Sequence, residues 1–340
     1  MTLSRGRALA ASALLASLLG CTDASKPAPR ETAPERAQET LGREPLLVLP
    51  ELPVLDARVV ALGAKLFHEP RLSSDGKVAC SSCHDLANGG ADGKRSSVGV
   101  RGRVGAINAL SVYNSSLNFV LFWDGRAATL EEQVDGPLTN PLEMDAKWPD
   151  VVGKLKSDAA YQSAFAAAFT DGVTQDNVRT AIATFERTLL TPNSPFDRWL
   201  GGDATALTAA QKAGYELFKG VGCVACHQGR NVGGNMFQRF GVMGDYFGDR
   251  GHVTEADNGR FNVTHLESDR FVFRVPSLRN VARTAPYFHD GSAPTLPDAV
   301  QVMAKYQLGR KLSDDQIAAI VAFLGSLSGV VPASVQSDAG

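Results

Sequence analysis

The sequence predicts a mainly α-helical chain assembled from two copies of one unit, and three observations carry that reading. The string Cys-x-x-Cys-His occurs twice, as Cys80-Ser81-Ser82-Cys83-His84 and as Cys223-Val224-Ala225-Cys226-His227. The strings around it recur in the same order. The apolar residues of the candidate helices fall at helical spacing behind capping signals, and no run alternates apolar and polar residues long enough to support a sheet.

Each Cys-x-x-Cys-His is a c-type haem attachment site: the spacing puts two thiols within reach of the two vinyl groups of one haem and sets the next imidazole beneath the iron. The two motifs use four of the five cysteines, which leaves no pair for a disulfide. The fifth, Cys21, closes a leader in which Arg5 and Arg7 precede an apolar run from Ala8 to Leu19. Leu18-Leu19-Gly20-Cys21 resembles a bacterial lipobox, and the run is too short to span a bilayer as a mature helix. An ordinary secretory leader with an incidental cysteine is the other reading, and both export the chain, in keeping with haem attachment outside the cytoplasm. Residues 1–20 are thus expected to be a lipoprotein-type signal peptide, with a periplasmic protein anchored to the membrane by lipid on Cys21.

Residues 21–44 carry Pro27, Pro29 and Pro34 among Ala, Thr, Glu and Arg without apolar periodicity, the composition of a flexible tether. As a coil it would reach roughly 25 to 30 Å. The remaining chain is long enough for two compact domains. The balance of 34 basic against 36 acidic residues gives no sign of a nucleic-acid partner.

The duplication extends beyond the haem motifs. Gly63-Ala64-Lys65-Leu66-Phe67 precedes the first, and Gly214-Tyr215-Glu216-Leu217-Phe218 the second. Asn114 lies ten residues before Asp124-Gly125, and Asn280 ten before Asp290-Gly291. A leucine within Thr-Leu follows each aspartate by six residues, at Leu130 and Leu296. Thr208 to Gln211 and Ser313 to Gln316 fit capping boxes. Val178, Ile182, Phe185 and Leu189 recur at helical spacing after Thr174, and Ile317, Ile320, Val321 and Leu324 do so after Ser313. Both runs resemble the closing helix of a cytochrome c fold, with the boundary between halves in the stretch from Pro192 to Asp203.

Several strings resemble the bacterial di-haem cytochrome c peroxidases over the span from about Leu62 to Leu327. They are Leu66-Phe67-His68-Glu69-Pro70-Arg71-Leu72-Ser73, Phe122-Trp123-Asp124-Gly125-Arg126-Ala127, Glu132-Gln133 with Pro141-Leu142-Glu143-Met144, Phe273-Arg274-Val275-Pro276-Ser277-Leu278-Arg279-Asn280, and Thr284-Ala285-Pro286-Tyr287-Phe288-His289-Asp290-Gly291. The resemblance implies two cytochrome c-like domains: residues 45–197 with a peroxidatic haem, and residues 198–335 with an electron-transfer haem. It implies reduction of hydrogen peroxide with electrons from a small redox protein, a cytochrome c or a copper protein, and it points to a homodimer.

The resemblance also assigns residues. Cys80, Cys83 and His84 would hold the first haem, and Cys223, Cys226 and His227 the second. Met303 matches the family's methionine ligand on the second iron, and a thioether there raises the reduction potential. Met236, Met243, His252 and His265 are its competitors. Glu143 matches the glutamate that moves a proton between the peroxide oxygens. Gln133 matches the amide beside it, and Trp123 the aromatic carrier between the haems. Asn108, Thr284 and Pro286 match an interdomain calcium site, whose oxygen ligands suit a hard cation. His289 is expected at the domain interface, and His68 as a structural or surface residue.

One departure stands out. Many family members carry a histidine in a Ser-Ile-Gly-His type string that blocks the first iron until the other haem is reduced, whereas here Ser97-Val98-Gly99-Val100 puts valine at that place. No histidine, methionine or cysteine occurs between Asp85 and Asn118, so the first iron is expected to be open at rest unless Lys94 binds it. An open iron also suits a related enzyme, the di-haem maturation enzyme of methylamine dehydrogenase, which oxidises a protein and uses a tyrosine on its second haem. Tyr287 and Tyr306 keep that alternative in view. A non-enzymatic di-haem electron carrier or sensor is the third reading.

Overall fold

The computed structural model describes residues 44–332, so the predicted leader, Cys21 and the tether up to residue 43 lie outside the described residues. Among the described residues no helix is long and apolar enough to cross a membrane.

In chain order the helices are α1 (Ala57–Phe67), α2 (Leu130–Thr139), α3 (Trp148–Lys156), α4 (Ala159–Ala168), α5 (Gln175–Arg187) and α6 (Pro195–Leu200). They continue with α7 (Ala209–Val221), α8 (Tyr246–Arg250), α9 (Phe261–Thr264), α10 (Leu296–Tyr306) and α11 (Asp314–Gly325). The capping signals sit where the sequence puts them. Thr174 accepts from the Asn177 amide to start α5, and capping boxes at Thr208 and Ser313 start α7 and α11. Val178, Ile182 and Phe185 are buried on α5, as are Ile317, Ile320 and Leu324 on α11.

The duplication is visible in the packing. In the first half α1 lies across α5, and a methyl on Gly63 would overlap the Ala181 carbonyl. In the second half α7 lies across α11, and a methyl on Gly214 would overlap the Ala319 carbonyl in the same way. Glycine at these two places lets one backbone rest on another. The Asp-Gly loops match as well: Leu121 bridges Ala127 and Tyr287 bridges Ala293, with Phe122 and Phe288 both left-handed at φ 66° and 71°. Thr129 and Thr295 then cap α2 and α10, which begin at the repeated leucines.

Two features depart from the sequence reading. A two-stranded antiparallel ribbon, β1 (Phe237–Arg239) and β2 (Val272–Arg274), pairs Phe237 with Arg274 and Arg239 with Val272. Strands of three residues are too short to show alternation. The segment after the tether also docks far along the chain: Leu46 is fully buried among Phe196, Tyr215, Phe218 and Phe323. Leu47 donates to the Gly229 carbonyl, and Gly229 to that of Pro45.

Candidate haem centres and active site

Each Cys-x-x-Cys-His opens on a single 3-10 turn, Cys80–Ser82 or Cys223–Ala225, and each histidine amide donates to the carbonyl of the first cysteine, both at 3.0 Å. This turn puts both thiols and the imidazole on one side of the chain. His84 Nδ1 lies 3.2 Å from the Gly90 carbonyl. A carbonyl can only accept, so the proton sits on Nδ1 and Nε2 keeps its lone pair for a metal. Burial pushes both imidazoles down, His227 to about 4, with the Val232 and Pro276 backbone acting the other way. Both rings are therefore held in the neutral form that ligates.

The first centre is a narrow cavity of about 50 Å³. Cys80, Cys83 and His84 line it together with Gln133 from α2, Glu143 from the following loop, and Glu186 from α5. Burial raises the Glu143 carboxyl, against the opposing effects of the Asn140 amide and the Arg126 charge. Asn140 Nδ2 donates to Oε1 at 2.6 Å, which fixes the carboxyl's orientation. Pro141 is exposed, its carbonyl taken by Arg103, and does not line the cavity.

Val100 is fully buried in the apolar core with Val78, Val134, Leu138 and Met144. Its amide donates to the Glu143 carbonyl at 2.8 Å, and Gly99 before it lies so close that a methyl there would overlap the backbone of Leu142 and Glu143. The segment that would carry a blocking histidine is thus the wall on which the Glu143 loop rests. Lys94 is exposed and lines neither cavity.

Glu186 is a residue the sequence reading missed. It is 6% exposed, and burial pushes its carboxyl up to about 8. The signal was present: Glu186 lies four residues after Ile182 on the apolar face of α5, where a carboxylate is out of place.

The second centre is a cavity of about 400 Å³ with largely apolar walls, Val281, Leu296, Ile320 and Leu324 among them. Cys223, Cys226 and His227 line it, and so does Met303 from α10. The competitors lie elsewhere. Met243 is 61% exposed, Met236 is not part of the wall, and His252 and His265 are exposed. Tyr306 Oη is bonded to Asp249 and Lys305 and lines neither cavity, while Tyr287 reaches this cavity with its hydroxyl given to the Val281 carbonyl at 3.0 Å.

Trp123 forms part of the same wall. Its indole donates to the Asn108 carbonyl at 3.0 Å, and its ring meets Phe273 and His289 edge-on. His289 is buried and stacked on Phe273, with Nε2 2.7 Å from Asp257. Asp257, His289 and Asp290 converge as a metal site would, but Arg250 already pairs with both carboxylates, at 2.7 and 2.5 Å. His68 caps the end of α1, half-buried against Phe67. Asn108, Thr284 and Pro286 all line the second cavity, although 176 positions separate Asn108 from Thr284 in sequence.

The donor sets suit c-type haem at both centres: two adjacent thiols and one neutral imidazole. At the second, the size of the cavity, its apolar walls and a buried cation with an unpartnered terminal nitrogen, Arg274 Nη1, suit a large flat macrocycle with acidic substituents. At the first, the fit rests on the donors alone.

The comparisons with known proteins agree with this geometry. The family described as di-haem cytochrome c peroxidase matches residues 57–205, and cytochrome c matches residues 211–328. Cytochrome c peroxidase Ccp of Escherichia coli (strain K12) is 48% identical over 89% of this chain, which spans 64% of that protein's length. Cytochrome c551 peroxidase of Nitrosomonas europaea is 45% identical over 86% of each chain. The crystal structure of a MauG-like protein associated with microbial copper homeostasis superposes with a TM-score of 0.74 at 29% identity, covering 84% of this chain and 93% of the other.

Proposed function

The chain belongs to the di-haem cytochrome c peroxidase family, and on that premise we propose that it reduces hydrogen peroxide to two waters at the His84 centre. The two electrons would come from a small redox protein, a cytochrome c or a copper protein, by way of the His227 centre. The observation that carries the reading is the meeting of Glu143 and Gln133 with His84 on one cavity, while Val100 is turned into the core.

Bound haem would supply an iron that accepts the peroxide and holds the oxidising equivalents. The chain's part is to place and move protons. Glu143 would take a proton from one peroxide oxygen and return it to the other, so that the leaving oxygen departs as water. Its raised pKa brings it nearer the working pH than an exposed glutamate, which suits a group that must both accept and donate. Gln133 would hold the peroxide or its water by its amide. The aliphatic side chain of Val100 cannot ligate iron, which supports a first centre open at rest and needing no prior reduction. Met303 would be the sixth ligand at the second centre, and Trp123, on that centre's wall, would carry electrons towards the first.

The finer parts of the proposal are the division into residues 45–197 and 198–335, a calcium ion held by Asn108, Thr284 and Pro286, a homodimer, and periplasmic export with lipid on Cys21. The test is stopped-flow absorbance of the fully ferric, haem-loaded protein mixed with about one equivalent of hydrogen peroxide. The reading expects a rapid change of the Soret band without added reductant. No reaction, or low-spin ferric signatures from both haems at rest, would overturn the open first centre.

A further inference from the structure

Arg274, on β2, is 3% exposed, yet no ion pair reaches it among the described residues. Burial alone acts on the guanidinium and pulls it down to about 10. Nη1 is buried without a hydrogen-bond partner. A cation left so is costly, and proteins pair such groups or give them a ligand. Among the described residues, the buried Arg279 and the half-buried Arg250 follow that rule. Arg279 has Asp197 at 2.8 Å, with the Leu47 and Arg230 carbonyls at 2.8 and 3.0 Å, and Arg250 has Asp257 and Asp290.

The root of Arg274 is fixed. Its amide donates to the Trp123 carbonyl at 2.8 Å, and Nε donates to the Phe122 carbonyl at 3.0 Å. Phe122 has left-handed backbone, so Arg274 holds an unfavourable turn from the other half of the chain. The side chain also forms part of the wall of the second cavity, with Cys226, His227 and Gln238. A guanidinium with an unused terminal nitrogen, in the wall of a cavity suited to haem, calls for a planar anion.

We propose that Arg274 binds a carboxylate of the group tethered at Cys223 and Cys226, a haem propionate, and thereby ties the His227 centre to the Phe122–Trp123 backbone. Arg274 is a positioning residue in this arrangement: it sets the charge beside the second haem and the place of the tryptophan together. The inference rests on haem at His227 and not on peroxide turnover, so it is tested without peroxide.

The experiment compares haem-loaded wild type, Arg274→Gln and Arg274→Lys by potentiometric titration and by resonance Raman of the propionate bending modes. Loss of the cation disfavours the reduced, less positive iron. In Arg274→Gln the reduced-to-oxidised ratio of the His227 haem at fixed ambient potential should fall about tenfold, equivalent to 59 mV for a one-electron couple. Arg274→Lys should recover much of that ratio, since it restores the charge without the fork, and a propionate mode should shift in both variants. An unchanged potential in haem-loaded Arg274→Gln would overturn the proposal, as would a fall shared equally by both variants with the propionate modes unmoved. A wild-type potential that follows added chloride or acetate would assign the site to a free anion instead and overturn it too. Should Arg274→Gln fail to load haem, the propionate modes of Arg274→Lys decide alone: shifted modes support the assignment, and unmoved modes refute it.

Discussion

Asn114 and Asn280 hold equivalent places in the two repeats, and both donate their side-chain amides to a single acceptor, the Thr191 hydroxyl, each at 2.9 Å. Asn114 Oδ1 accepts the Thr191 amide at 3.0 Å, and Asn280 Oδ1 accepts that of Gly329 at 3.0 Å. All three side chains are buried, and both asparagines sit in the left-handed region, which asparagine tolerates well. One link between the halves is thus a hydroxyl shared by the duplicated residue and its copy.

Thr191→Val removes that acceptor without changing the shape and leaves two buried amides unpaired. The cost should be about 2 to 4 kcal/mol in denaturant unfolding, and Thr191→Ser should lose only about 1 kcal/mol, the value of a methyl group. Equal destabilisation by the two variants would mean that the shared hydroxyl contributes nothing.

The glycines at the two helix crossings should behave alike. Gly63→Ala and Gly214→Ala each force a backbone apart and should cost about 2 kcal/mol or more. Gly153, on α3, has open space around its Cβ position, so Gly153→Ala should stabilise by about 0.5 to 1 kcal/mol. Thermal unfolding of the three haem-loaded variants checks both signs.

Acid stability should depend on Glu69. Arg71 binds both of its oxygens at 2.8 and 2.6 Å, Tyr161 adds a hydrogen bond at 2.9 Å, and the Arg71 side chain holds the carboxyl down to about 2 from 4.5. A carboxyl depressed on folding stabilises above its unfolded value, and that contribution is lost as pH falls from 4.5 through about 2. Glu69→Gln should therefore be less stable than wild type by roughly 2 to 3 kcal/mol above pH 5, with the gap closing across that window. A gap that stays constant down to pH 2 would remove the assignment.

With Glu143 as the proton carrier, Glu143→Gln should slow peroxide consumption by roughly 10² to 10⁴ while haem content is unchanged. Steady-state assay with a reduced cytochrome reads the effect, and wild-type rates in the variant would shift the role elsewhere on the cavity, with Glu186 the next carboxyl in line.

With Met303 as a ligand of the second iron, Met303→His should lower that iron's potential, because imidazole favours the ferric state more than a thioether does. Potentiometry of the variant tests this, and an unchanged potential would mean that Met303 is wall rather than ligand.

Much of the fold was legible because duplication writes each signal twice. The paired Gly63 and Gly214 strings, the asparagines, the Asp-Gly pairs and the caps at Thr174, Thr208 and Ser313 could each be read from short strings, whereas the helix crossings that the two glycines permit could not. The ribbon was not, since its strands are short and held by pairing across a 32-residue gap between Arg239 and Val272. Neither was the burial of Arg274, because a charged residue in a motif string carries no mark of its depth. At the candidate site, Gln133 and Glu143 were visible only through resemblance, whereas Glu186 broke the apolar period of α5 and could have been found from the residues alone.

The docking of Leu46 into the second half sets an order of events for a chain made from its N-terminus. Its partners Tyr215, Phe218 and Phe323 follow it by 169 to 277 positions. The core of the second half is therefore complete only when it captures the chain's own beginning, and a fragment starting after that segment should fold with a leucine-sized gap.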